Sequence, residues 1–228
     1  MKKVLIAFVA FLAVAVGAFW WFVLRDNAPA AVTARPCTPV PDPSGEVTGS
    51  YSVQPAPDVF AGYRVQELFG ADTLKRTAVG RSRVVTGTMS IDGTTVTAVN
   101  VEVDTTKLKS SSSLRDGRIK TMGLETVKFP TASFTLTSPV TVPGSLKPGV
   151  ATTIDATGDL TLHGVTKSIT IPLTACWTGT VVMVDGSTPI VMADYAISPP
   201  SIGGIVSVDD HGVLEFQLTF GQLKFGGS

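Results

Sequence analysis

The sequence predicts a mainly β protein: an antiparallel β-barrel with one short helical excursion, preceded by a single N-terminal transmembrane helix. Three observations lead there. Apolar and polar residues alternate with period two through most of the chain after residue 51, which marks strands with one apolar and one polar face. Glycine-containing turn pairs recur between these runs. Residues 4–24 contain no charge and no proline, and about 20 such residues span a bilayer as a helix.

The N-terminal run is flanked by Lys2 and Lys3 before it and by Arg25 beside Asp26 after it. The positive excess lies on the N-terminal side, which keeps that end in the cytoplasm and places everything after residue 25 outside the plasma membrane. The rival reading is a cleaved signal peptide, whose apolar core runs about 7–15 residues and ends at a small-x-small site. Here the core is longer and ends in Phe19-Trp20-Trp21-Phe22, bulky aromatics that suit an interfacial belt. Ala28-Pro29-Ala30 still offers a late cleavage site, so secretion after cleavage is the alternative. The expected organisation is a membrane anchor over 1–25, with its helix at 4–24, a linker over 26–50 and a barrel domain over 51–228.

Removing the anchor exposes the character of the body. Three of the eighteen bases, Lys2, Lys3 and Arg25, lie in residues 1–25, leaving fifteen bases against eighteen acids, a net charge of −3. Nucleic-acid binding needs a basic footprint and is excluded on this ground. From 26 to 50 the chain is rich in Ala, Pro, Thr and Val, with prolines at 29, 36, 39, 41 and 43. That composition reads as a linker, partly extended at about 3.1 Å per residue.

The strand signals follow in order. Val85, Met89 and Ile91 alternate with threonine and serine; Val99, Val101 and Val103 with Asn100, Glu102 and Asp104. Phe134 and Leu136, Leu160 and Leu162, Ile169, Ile171 and Leu173, and finally Leu214, Phe216, Leu218 and Phe220 repeat the pattern. Turns are expected at Asp92-Gly93, Pro143-Gly144, His163-Gly164, Asp185-Gly186 and His211-Gly212. One stretch departs from the alternation: Ser111 to Lys120, continuing to Thr126, reads as a short helix or ordered loop, with serines as N-caps and Leu114, Ile119 and Leu124 as inward anchors. About eight strands closing on themselves enclose a cavity for one small ligand.

Particular motifs carry a resemblance. Gly158-Asp-Leu-Thr-Leu-His-Gly-Val-Thr-Lys167, Leu114-Arg-Asp116 followed by Lys128-Phe-Pro-Thr-Ala-Ser-Phe134, Gly62-Tyr63-Arg64-Val65 with Glu67, and Tyr51-Ser-Val53 together resemble the YceI-like family of lipid-binding proteins, in particular the variety seen in actinobacteria. The His-Ser pair common after the first strand of many members is missing. The resemblance covers roughly residues 51–220. It implies an extended lipocalin-like barrel that holds a polyisoprenoid or other amphiphilic chain. Periodicity supplies the strands; the resemblance supplies the ligand class.

Enzyme chemistry finds little support. His163 and His211 each precede a glycine, which a turn explains. The rival reading of His211 with Asp209 and Asp210 as a metal site lacks HxxxH or CxxC spacing. No catalytic residue, metal ligand or cofactor is therefore expected. Arg115-Asp116 is read as an internal ion pair ordering its loop, or as a pair at the barrel mouth near a polar headgroup. Candidate lining residues are Phe60, Tyr63, Val99, Val101, Phe134, Leu136, Phe216 and Leu218, though for any one of them ordinary core packing is the simpler explanation. An extracytoplasmic chain with two cysteines permits a disulfide. Cys176 falls on the polar face of its strand, opposite Ile171, Leu173 and Ala175, and Cys37 lies in the slack linker, so a Cys37–Cys176 bridge is expected on the outer wall. The leading expectation is a membrane-anchored binding protein for an apolar or isoprenoid lipid; a barrel with a filled, structural interior and a lipid-modifying enzyme are its rivals.

Overall fold

A computed structural model describes residues 14, 15, 17, 28–41, 46–69, 74–143, 146–201 and 206–223. The expected transmembrane helix lies outside the described residues except for Val14, Ala15 and Gly17, which are helical. Among the described residues no helix is long and apolar enough to cross a membrane.

The strands are β1 (Gly49–Val53), β2 (Phe60–Phe69), β3 (Leu74–Ser82), β4 (Val85–Asp92), β5 (Thr95–Asp104), β6 (Thr131–Leu136), β7 (Val140–Thr141), β8 (Ala151–Leu162), β9 (Val165–Trp177), β10 (Val181–Val191) and β11 (Val206–Gln222). All named pairings are antiparallel. Eight strands close a ring in the order β1-β4-β5-β6-β8-β9-β10-β11, with β11 returning to β1. Closure leaves no free edge within the ring.

The length of β11 makes this closure possible. Its last residues pair with β1, Phe220 opposite Val53, while the preceding ones pair with β2, Gln217 opposite Phe60. β1 therefore fills the wall at one end, and the β2–β3 hairpin fills it at the other. The outer edge of β3 meets the chain beyond β5, where Arg81 and Lys109 exchange backbone hydrogen bonds of 2.9 and 3.0 Å.

Two expected turns are strand interior instead. Asp185-Gly186 lies within β10 and His211-Gly212 within β11. Gly186 is glycine for space: a Cβ there would lie 2.6 Å from Cζ of Phe216, its direct partner across the ladder. His211-Gly212 follows a register shift after Val208, a bulge in the β11–β2 ladder.

The segment expected to be a free linker is a strap on the outer wall. The Arg35 guanidinium donates to both Asp185 Oδ1 and Asp58 Oδ2, at 2.9 and 2.6 Å, and its backbone N–H reaches Asp185 Oδ2 at 2.7 Å. Val40 N donates to Thr178 O at 2.9 Å. Cys37 and Cys176 are joined in a disulfide, with Cα atoms 5.7 Å apart. Cys176 is 3% exposed although it faces outward, because the strap covers it. The barrel itself begins at Gly49, inside the span assigned to the linker.

Candidate functional site: a lumen beneath a helical cap

The barrel encloses a cavity of about 570 Å³, within the range of roughly 300–1,000 Å³ usual for small-molecule sites. Alternation places its lining. On β5, Val99, Val101 and Val103 face it; on β9, Ile171, Leu173 and Ala175; on β11, Leu214, Phe216, Leu218 and Phe220. Of the candidates named from sequence, Tyr63, Val99, Val101, Phe134, Leu136, Phe216 and Leu218 border the cavity. Phe60 does not. It stands on the outer face of β2, in the register of Arg64, with the Arg81 guanidinium 3.9 Å from its ring centroid. The period is right, but Phe60 opens the strand on the opposite parity from Tyr63.

Three of the lining aromatics lie against glycines. A Cβ on Gly80 would come within 2.3 Å of the Tyr63 ring, one on Gly158 within 2.5 Å of Phe134 Cζ, and one on Gly186 within 2.6 Å of Phe216 Cζ. The rings therefore fold down onto the wall, where a side chain on the neighbouring strand would push them into the lumen. Aromatic side chains covering strand glycines also restore packing that the glycine lacks. The sequence held this signal, because glycine within a strand marks close approach of another group.

Packed clusters sit toward the two ends. At the far end, Tyr51, Trp177 and Phe220 are at most 6% exposed and belong to the larger buried cluster. Near the other end lie Leu160, Leu162, Met192, Tyr195 and Ile197. Over that second end runs the connection from β5 to β6, which forms the cap. It holds a single 3₁₀ turn (Thr105–Lys107), helix α1 (Ser113–Arg118) and a wide turn (Ile119–Gly123). Asp104 caps the first by accepting from Thr106 N at 2.9 Å; Ser112 Oγ caps α1 by accepting from Arg115 N at 3.3 Å. Ile119 and Leu124 are half-buried against the lumen, whereas Leu114, expected to be an inward anchor, borders the lumen but remains 63% exposed.

The cap is tied to the wall at two points. Arg115 forms a two-pronged pair with Glu67 of β2, at 2.6 and 2.9 Å. This replaces the expected Arg115–Asp116 pair; Asp116 accepts instead from Ser110 N at 2.9 Å. The Glu67 carboxylate holds the Arg115 guanidinium above its usual range, and burial pushes the nearby Tyr63 phenol up. At the second tie, His163 is 8% exposed, with Nε2 2.9 Å from Glu125 Oε2 and Nδ1 3.2 Å from Tyr195 O. The Phe129 ring meets it edge-on, centroids 4.3 Å apart. His163 does occupy a turn, with φ 53°, yet it also fastens the cap, a role that a His-Gly dipeptide does not announce.

Among the described residues, charge at the lumen is confined to this end. Glu67, Arg76, Arg115 and Arg118 border the cavity beside the cap, while Glu215 of β11 directs its carboxylate outward to Arg64 at 2.6 Å. The remaining wall is mainly aliphatic and aromatic, with Ser133 and Thr188 among its few polar residues. Such a chamber holds an apolar chain along its length and a polar group at the cap. The acidic triplet Asp209, Asp210 and His211 lies on the bulge of β11, with His211 two-thirds exposed and its Nδ1 2.5 Å from Asp210 Oδ1.

Comparison with known proteins gives a consistent family. The YceI-like domain matches residues 51–220. A UPF0312 protein of Vibrio vulnificus is 36% identical over 141 residues, 58% of this chain and 71% of its own; the Escherichia coli protein YceI is 36% identical over 115 residues, 49% and 53% respectively. Among solved structures, a polyisoprenoid-binding domain from Saccharophagus degradans, implicated in plant cell wall breakdown, superposes with a TM-score of 0.58 at 20% identity, over 76% of this chain and 98% of that one. Burkholderia cenocepacia BcnA gives 0.53 at 16% identity, over 69% and 95%.

Proposed function

Because the chain belongs to the YceI-like family, we propose that it binds a polyisoprenoid-type lipid inside its barrel, outside the plasma membrane, tethered there by residues 4–24. The observation that carries this reading is the cavity of about 570 Å³ with an apolar wall and charge only at its capped end. A barrel with a filled interior would leave no such volume. The likeness in fold to the polyisoprenoid-binding domain of Saccharophagus degradans supports the ligand class. The bidentate Arg115–Glu67 pair ties up two of the charged groups beside the lumen, which favours binding over catalysis. The driving force is burial of the chain, about 0.8 kcal/mol for each methylene removed from water.

Tethering rests on the uncharged run at 4–24 and the lysines before it. Native mass spectrometry of the full chain after gentle extraction tests the binding reading: a bound mass that fragments as a prenyl lipid is expected, and uniformly ligand-free protein overturns it. Protease treatment of intact spheroplasts tests the topology. Residues 26–228 should be cleaved and the first residues protected; a mature chain beginning near residue 31 would refute the tether while leaving the lipid site intact.

A further inference from the structure

The cap end carries a surface that the lumen does not explain. Leu114, Met122 and Val127 are 63, 53 and 93% exposed, and all three lie on the connection that covers the lumen. Leu74, at the start of β3 on the same end, is 41% exposed. Around them the charge is basic. Between Lys107 and Lys128 there are six bases and two acids. Both acids are occupied within the fold, Asp116 by Ser110 N and Glu125 by His163. Of the bases, Arg115 is neutralised by Glu67; Lys107, Lys109 and Lys128 are exposed and Arg118 and Lys120 half-exposed. The rest of residues 26–228 holds nine bases and sixteen acids. The cap connection thus carries a local positive excess in an acidic domain, among exposed apolar side chains, with Asp194, Asp209 and Asp210 the acids at the same end.

We propose that the cap end docks on an anionic phospholipid bilayer, placing the mouth of the barrel against the membrane. Apolar side chains ringed by bases bind such surfaces by inserting into the headgroup boundary while the bases meet acidic lipids. The inference rests on the lipid-binding reading, because it supplies the route by which an apolar ligand passes between bilayer and lumen without crossing water. The strap has a compatible direction. Arg35 bonds Asp58, just before β2, while Pro29 O accepts from Arg64 further along that strand. Toward its N-terminal end the strap therefore climbs the wall toward the cap, so its first described residues, 28–30, lie nearer the side that docks than Cys37 does.

The full chain, reconstituted into vesicles of phosphatidylcholine with or without phosphatidylglycerol and bearing brominated acyl chains, provides the test. Met122→Trp places a reporter on the cap; Val150→Trp places one at the far end, where Val150 is 50% exposed. After subtraction of the parent chain's fluorescence, bromolipid quenching is expected for Met122→Trp in the phosphatidylglycerol vesicles. It should be lost when Lys120→Glu and Lys128→Glu are added, and lost again at high salt. Val150→Trp should show none. Equal quenching at the two sites, or quenching at the cap that ignores headgroup charge, overturns the proposal. Native mass spectra of the same samples separate the two readings. Lipid retained in a chain that fails to dock removes docking alone; a parent chain without lipid removes the binding reading, whatever the quenching shows.

Discussion

Gly186 and Phe216 show how a single residue keeps the lumen open. The two face each other across the β10–β11 ladder, and the methyl of an alanine at 186 would meet the Phe216 ring at 2.6 and 3.1 Å and Leu173 Cβ at 3.2 Å. The ring is the movable partner, and its free side is the cavity. Gly186→Ala should therefore turn Phe216 inward, at an overpacking cost of about 1–3 kcal/mol, and reduce the lipid that co-purifies. Denaturant unfolding and native mass spectrometry together check this; full lipid content with unchanged stability would place the ring elsewhere. Arg35 is the second residue of consequence. Its partner Asp185 is only 5% exposed, so Arg35→Ala strips a buried carboxylate of its counter-charge, leaving the residue-35 backbone N–H as a donor, and should cost up to about 3–5 kcal/mol. The same side chain holds the Asp58 carboxyl below its ordinary 3.8, first through their hydrogen bond. A depressed carboxyl contributes stability above its unfolded value and loses it as pH falls through the folded one. Arg35→Gln should therefore bring Asp58 back toward 3.8 by carboxyl NMR and remove that part of the acid sensitivity.

At the scale of elements, strands were the most legible part of the chain and the strap the least. Alternation identified β4, β5, β6, β8, β9 and β11 because a barrel wall has one apolar and one polar face, and the period survives wherever a residue truly faces the lumen. Phe60 is a lining candidate only for being aromatic, against the same rule, which sets it on the face opposite Tyr63; it is apolar yet faces out because Arg81 covers its ring and removes the need for a polar residue there. Asp185-Gly186 has the composition of a turn for reasons that no local pattern reveals: the aspartate answers Arg35, 150 positions away, and the glycine answers Phe216. The strap looked like a linker because proline-rich sequence shows extension but not what it lies against. Its docking changes what the disulfide does. The bridge closes a separation of 139 residues, for which chain entropy gives roughly 5 kcal/mol. With Arg35 and Val40 already bonded to β10, β11 and Thr178, little of the closed loop is slack. Reduction should lower the unfolding midpoint of the whole barrel as well as expose the strap to cleavage near Arg35. Release of the strap with no change in midpoint would show that it is stapled to the wall but not coupled to it.

For the whole molecule, lining, cap and packed ends together set how affinity varies with the ligand. The far end is plugged by Tyr51, Trp177 and Phe220, so a chain entering beneath the cap meets a fixed depth. Each methylene that finds room should add about 0.8 kcal/mol, roughly fourfold in affinity. The gain must stop when the cavity of about 570 Å³ is filled, because further methylenes stay in water or press on the cap. A homologous series of linear prenols or fatty alcohols, competed against a fluorescent lipid on the full chain, should therefore show affinity climbing with length and then levelling. Salt should leave the slope unchanged, since the wall it reports on carries no charge. Glu67→Gln, which weakens the tie between Arg115 and β2, should move the plateau to longer chains as the cap loosens, without altering the slope below it. An affinity that tracks the headgroup and ignores chain length would mean that recognition happens at the cap and that the lumen is not where the ligand lies.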